Sequence, residues 1–361
     1  MATLIVEGMN FHNSQYGEVE RQIVDIVRNC VEALPSNQTH LLYLTTFFNY
    51  ERFMYVKNSL AKVVYLFNGT DSIDPELYWI MRSPAWRELL IDKDVYFIGA
   101  DVANQITCDF WAIVTDQYFK KYTEAEVQPC TIDKVFLNYN RKPTWFREQI
   151  LADYVEHGVD HLGHVTLGLN TFKNPALDRF VLPPETLAHP AGGEGNAPVG
   201  TSHTLKDLRV ANDIFSLGNL DIWNSCFLNV VTETSVSNTL WTSEKIFKPL
   251  IGMRPFFYYG NPAVLLKLEK LGFDIFRDIN RFNETWIEQV KCSDYHASGE
   301  ELTFLNAQLI TVIKHLAMQD LNKLYQDILP RLKHNRDLFL KYSSAALTVF
   351  ENNLNGHLRT S

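Results

Sequence analysis

Eight short runs of consecutive apolar residues constrain this chain more than any other feature. They fall at 4–7, 41–45, 63–67, 95–99, 135–139, 165–169, 227–232 and 255–259. In most of them Val, Leu, Ile, Phe or Tyr fill successive positions instead of alternate ones. A strand with one wet face alternates, whereas a strand covered on both faces does not. The runs therefore predict parallel strands under helices. Helix-compatible segments lie between them at 16–34, 75–91, 143–157, 204–218, 243–252 and 262–272. In the first, Val19, Ile23, Val24, Ile26, Val27, Cys30 and Val31 make one broad apolar face. The last two close on Gly252 and Gly272, ordinary helix stops. Strands alternating with helices define an α/β chain.

A chain of 361 residues is too long for one ordinary core and predicts two domains. A polar stretch at 122–133, containing Pro129, marks the break. The division is then an N-terminal α/β domain at 1–130, a C-terminal α/β domain at 131–297, and helices at 298–361. Residues 183–203, rich in Pro and Gly, read as a long irregular loop inside the second domain. Beyond Ser298, Leu302, Leu305, Leu309, Ile313 and Leu316 form a helical stripe. A further helix carries Leu321, Leu324 and Ile328 and is expected to end before Pro330.

Composition narrows the function. The net charge of −9 argues against a surface that grips many phosphates, so DNA is not a favoured partner. A diphosphate needs only two or three local cations. The five cysteines are scattered with no CxxC pair, which predicts buried thiols in a reducing compartment. The first residues lack the basic and apolar regions of a signal peptide, and no run reaches the roughly 18 apolar residues of a membrane span. A cytoplasmic protein is expected.

The familiar nucleotide fingerprints G-x-G-x-x-G and G-x-x-x-x-G-K-[ST] do not occur. The acidic triplet Asp92-Lys93-Asp94 precedes its strand, the wrong end for a ligand, and reads as a solvated turn. Residues 227–260 are more informative: a strand, a loop carrying Glu233, a helix opening on Ser243-Glu244-Lys245, and a strand ending at Gly260. A helix N-terminus favours anions through its free N–H groups. Ser243 can cap it, Glu244 can accept bonds from a ribose diol, and Lys245 can neutralise a diphosphate. An ordinary capped helix with a solvated Glu and Lys fits the same residues.

Here a resemblance enters. The series Glu233-Thr234-Ser235, Ser243-Glu244-Lys245 and Pro255-Phe256-Phe257-Tyr258-Tyr259-Gly260 resembles the donor-binding segment of α1,3-fucosyltransferases. More closely, Glu244-Lys245-Ile246-Phe247-Lys248-Pro249, Pro255-Phe256 and Leu271-Gly272-Phe273 are similar to a group of uncharacterised phage and bacterial glycosyltransferases. Ser243 stands where those families have threonine, and Thr234 where the fucosyltransferases have asparagine. In those enzymes the strand corresponding to 135–139 ends in a Ser-Asn element, matched here at Asn140, and a later arginine meets the diphosphate. Arg147 matches that arginine best and Arg141 is a second candidate. Arginine suits this task because its planar fork can hold two phosphate oxygens.

The resemblance implies a GT-B fold, two Rossmann-like domains facing each other across a cleft, with the donor held by the C-terminal domain. It implies a glycosyltransferase moving a sugar from a GDP- or UDP-sugar to a glycan or other hydroxyl acceptor. The implied donor residues are Glu244, Lys245, Arg147, Arg141, Ser243, Glu233 and Asn140, with no cofactor or metal. Retaining GT-B enzymes carry two glutamates closer together around this helix. Glu233 and Glu244 are eleven positions apart, which favours inversion. Inversion requires a base to deprotonate the acceptor. Asp101, placed directly after a strand, comes first, then His12 and Asp71 for the same positional reason. Two other readings share this site: a phage DNA glycosyltransferase acting on hydroxymethylated pyrimidines, and a non-catalytic sugar-nucleotide-binding protein.

Overall fold

The computed structural model describes residues 2–8, 17–44, 50–67, 93–99, 105–140, 144–168, 173–181, 216–233, 243–260, 262–280 and 299–360. The chain forms two compact units, Met1–Val114 with Tyr342–Ser361, and Thr115–Lys341. The helices after Ser298 fall partly in each unit, up to Lys341 in the second and from Tyr342 in the first.

The first unit holds a five-stranded parallel sheet in the order β1 (Thr3–Gly8), β2 (Thr39–Leu44), β3 (Val63–Phe67), β4 (Asp94–Gly99), β5 (Gln105–Thr107). Its strands follow one another in chain order, so the described sheet contains no reversal of direction. Every residue of β3 is buried, as its unbroken apolar run predicts. Helix α1 (Gly17–Glu32) turns Val19, Ile23, Val27 and Val31 inward. Helices α2 (Tyr50–Asn58) and α3 (Phe110–Phe119) follow, the latter running on into the second unit. Tyr65 stacks between His40 and Tyr96, and His357 from the C-terminal end of the chain meets Tyr96 edge-on with ring centroids 4.3 Å apart. Lys93, in the acidic triplet before β4, donates to the Ser59 and Ala61 carbonyls at 2.7 and 2.8 Å. It is a clamp at the amino end of the sheet, not a solvated turn residue.

The second unit holds a four-stranded parallel sheet in the order β7 (Gly163–Leu167), β6 (Lys134–Asn140), β8 (Cys226–Thr232), β9 (Phe256–Tyr259). The chain leaves β6 through α4 (Trp145–Glu156) to reach β7 on one side. It leaves β8 through α6 (Glu244–Ile251) to reach β9 on the other side. The order of winding therefore reverses between β6 and β8, the place where open parallel sheets bind ligands. Helix α4 packs on one sheet face through Tyr154 on Phe136 and Phe146 on Tyr259, with centroids 4.9 and 5.9 Å apart. Between these elements lies the short helix α5 (Leu220–Ser225), whose buried Trp223 donates to the Gly252 carbonyl at 2.9 Å. Gly252 has to be glycine, because a Cβ there would lie 2.4 Å from Trp223 Cζ2.

After α7 (Ala263–Lys270) come α8 (Gly299–Leu316) and α9 (Leu321–Thr360). The expected stop before Pro330 is corrected: α9 runs through it. Proline removes one helical hydrogen bond and crowds the preceding turn. Here Pro330 and Gln326, whose carbonyl loses its donor, both lie on the exposed side, where water can replace the bond. Buried Tyr325 and Ile328 before the proline, and Leu332 and Phe339 after it, hold the helix in place. Arg331 adds paired contacts to Asp274 and Asp278 at 2.5 and 2.8 Å. Tertiary packing outweighs the local penalty.

Candidate functional site

The polar residues of the second unit gather where β6 and β8 part. Their backbone ladder ends at Leu137–Asn229, although both strands continue for three more residues, to Asn140 and Thr232. Side chains bridge the gap that opens. Asn138 donates to the Val230 carbonyl at 2.9 Å, taking the place of the missing backbone donor. Asn140 donates to Asn138 Oδ1 at 2.9 Å and accepts from the Thr232 hydroxyl at 2.6 Å. Asn138 and Asn140 are two apart in a strand and so share one face. Both are fully buried.

Arg147, in the first turn of α4, is also buried. Its Nη2 donates to the Thr232 carbonyl at 2.7 Å and the Glu233 carbonyl at 2.9 Å. The resemblance offered Arg147 to a diphosphate, whereas its guanidinium clasps the carboxyl end of β8. Burial lowers its pKa to about 10, against the pull of Glu233 and Glu244, so it remains a cation at neutral pH. Its hydrogen bonds hold the strand end.

Glu233 sits next on the chain and is 1% exposed. Its Oε2 accepts from the Ser243 hydroxyl at 2.6 Å. Burial is the dominant influence and raises this carboxyl above its ordinary value, with Lys245 and Ser243 opposing. Tyr258 packs beside Glu233, and its own hydroxyl is pushed well up, chiefly by burial. Gly260 allows that ring to lie close, since a Cβ there would be 2.7 Å from it.

Ser243 caps α6, its Oγ accepting from the Lys245 amide at 3.2 Å while donating to Glu233. One hydroxyl thus joins the end of β8 to the start of the helix. Glu244 is 1% exposed, and its Oε1 pairs with Lys245 Nζ at 3.1 Å. Burial works to raise the Glu244 carboxyl, but Lys245 and Lys248 outweigh it and the carboxyl falls below its ordinary value. The two glutamates are therefore driven apart: Glu244 is held ionised, Glu233 toward its neutral form.

Lys245 and Lys248 line a small cavity together with Tyr139, Asn229 and Thr232. Its volume of about 20 Å³ suits one water-sized oxygen. Lys248 is 5% exposed, and its Nζ lies over the Phe119 ring, 5.8 Å from the centroid.

The fold thus brings Asn140, Arg147, Glu233, Ser243, Glu244 and Lys245 to one place. Arg141, His12, Asp71, Asp101 and the loop at 183–203 lie outside the described residues. Sequence reasoning missed Asn138, Thr232 and Lys248. The signal for Lys248 was available, because residues three and four apart on a helix share a face with Lys245 and Glu244. Paired asparagines in an otherwise apolar strand were the signal for Asn138. Among the described residues no cluster of three or more metal-ligating groups occurs.

No protein-family model, curated protein or solved structure matches the chain. The site therefore has to be read from its own chemistry. Among the described residues it gathers the buried cations Arg147 and Lys248, the half-buried Lys245, and two buried carboxyl groups, Glu233 and Glu244.

Proposed function

We propose that the second unit binds the donor of a GT-B glycosyltransferase, a nucleoside-diphosphate sugar. The observation that carries this reading is that Lys245 and Lys248 line a cavity at the reversal point between β6 and β8, with Glu244 paired to Lys245 beside it. A nucleotide diphosphate offers what this set of groups accepts: hydroxyls for a buried carboxylate and negative oxygens for two ammoniums. The parallel sheet with its winding reversal supports the same reading, because such sheets hold nucleotides at the carboxyl ends of their strands. The resemblance of Ser243-Glu244-Lys245 to fucosyltransferase donor segments points the same way.

In the proposed reaction the acceptor hydroxyl oxygen attacks the anomeric carbon as the bond to the diphosphate oxygen breaks. A base takes the hydroxyl proton and the nucleoside diphosphate departs with inversion. Lys245 and Lys248 stabilise the charge that develops on the departing phosphate, the contribution that preorganised cations make to such steps. The candidates for the base remain Asp101, His12 and Asp71.

A panel of nucleotide sugars tests the proposal by thermal shift, since a ligand that binds only the folded state raises its melting temperature. One GDP- or UDP-sugar should stabilise the protein, and Lys245→Ala should abolish that shift, read against the variant's own unliganded melting temperature. If no nucleotide sugar, GDP or UDP shifts the wild type, the donor reading is wrong. Transfer of labelled sugar to a hydroxyl acceptor separates an enzyme from a protein that only binds the donor.

A further inference from the structure

We infer that Asn229 is the floor of the donor site, its side-chain amide donating to a phosphoryl oxygen of the bound nucleotide; this rests on the donor-site reading above. Asn229 stands on the last rung of the β6–β8 ladder, opposite Leu137, where the two strands begin to part. Its side chain shares a face of β8 with Val231, the face opposite to that of Val230 and Thr232. With Tyr139, Trp223 and Lys245 it lines the cavity of about 20 Å³.

The state of that amide is the deciding observation. Asn138 and Asn140, the other asparagines in the strands of this sheet, are buried and hydrogen-bonded to the protein. Asn229 is 9% exposed, yet among the described residues its amide has no hydrogen-bond partner. A buried amide without a partner destabilises the fold, and such groups are rare. A ligand atom that enters the cavity supplies the missing partner. The cavity has room for one oxygen and for neither a base nor a sugar ring. Its lining indicates which oxygen. Lys245 can only donate, and among the described residues no carboxylate lines the cavity. An oxygen that only accepts suits these neighbours, whereas a hydroxyl also has a proton to place. A phosphoryl oxygen meets that requirement, and Asn229 is then a ligand-contacting residue that the fold holds unpaired until the nucleotide binds.

Calorimetry with GDP and UDP in EDTA, on the wild type, Asn229→Leu and Asn229→Asp, tests the inference. Leucine keeps the branching of asparagine and breaks no hydrogen bond, so Asn229→Leu without nucleotide should melt no lower than the wild type. Its affinity for the nucleotide that the wild type binds should fall about tenfold or more, the value of one hydrogen bond to a charged group. Asn229→Asp, which turns the donor into an acceptor, should lose more. A crystal structure of the wild type with that nucleotide should place a phosphoryl oxygen about 3 Å from Asn229 Nδ2. Wild-type affinity in Asn229→Leu, or an ordered water at the amide with the phosphates elsewhere, would overturn the inference and leave the donor reading intact. A lowered melting temperature in Asn229→Leu, with a matching loss of affinity, would assign Asn229 a structural role and overturn it as well. Failure of the wild type to bind either nucleotide would instead reject the donor reading itself.

Discussion

Replacing Ser243 with alanine removes one oxygen that serves two elements at once. Its Oγ accepts from the Lys245 amide at 3.2 Å and donates to Glu233 Oε2 at 2.6 Å. Loss of an N-cap side chain costs about 1 kcal/mol. Loss of a hydrogen bond that leaves a buried polar atom unsatisfied costs about 1–3 kcal/mol. Because Glu233 is 1% exposed, water cannot take the place of the hydroxyl, and the two contributions together reach about 3 kcal/mol. A two-unit chain need not unfold in one step, so a single melting curve would blur this local effect. Amide hydrogen exchange reads it directly. Peptides covering 243–251 should exchange faster by about two powers of ten, the equivalent of that energy. Peptides covering α8 should be unaffected. The Glu233 carboxyl, deprived of a donor that lowers its pKa, should titrate still higher. Unchanged protection across 243–251 would refute the idea that Ser243 ties β8 to α6.

Three further outcomes follow from the same geometry. Burial raises the Glu233 carboxyl, so the stability it contributes is present below its ordinary value of 4.5 and is lost as pH rises through its raised value. Stability measured against pH should therefore show Glu233→Gln gaining on the wild type as pH climbs above 4.5; a gain toward acid instead would contradict the assignment. Arg147→Met leaves the Thr232 and Glu233 carbonyls without this donor and removes a buried cation, a loss of about 3–5 kcal/mol that denaturant unfolding followed at the second unit should record. Gly252→Ala forces a Cβ to within 2.4 Å of the Trp223 ring and should cost about 1–3 kcal/mol, visible as a lower melting temperature and altered Trp fluorescence.

All eight continuous apolar runs correspond to strands. Strands β3, β8 and β9 are buried at every position, as such runs predict, whereas the edge strands β1 and β7 stay partly exposed. The ninth strand, Gln105–Thr107, was not legible: three residues carry no period, and pairing with β4 is what makes them a strand. Pro330 misled for a related reason, since the penalty is local while Arg331, Tyr325 and Phe339, which hold the helix across it, act through distant partners. In the site, Ser243, Glu244 and Lys245 could be read because a helix start has a sequence signature. The carbonyl-clasping geometry of Arg147 could not, because spacing places a residue on a helix without saying whether its guanidinium meets backbone or ligand. The side-chain bridge from Asn138 to Val230 depends on the parting of β6 from β8, which only the sheet order reveals.

The central claim is that a nucleotide diphosphate occupies the crevice at the carboxyl ends of β6 and β8. Hydrogen exchange with and without the stabilising nucleotide locates the ligand without relying on turnover. The account predicts slower exchange in peptides spanning 230–233 and 243–248, and no change across 305–316 on α8. Stabilisation by the nucleotide with no protection at 230–233 or 243–248 would place the binding site elsewhere and contradict the account.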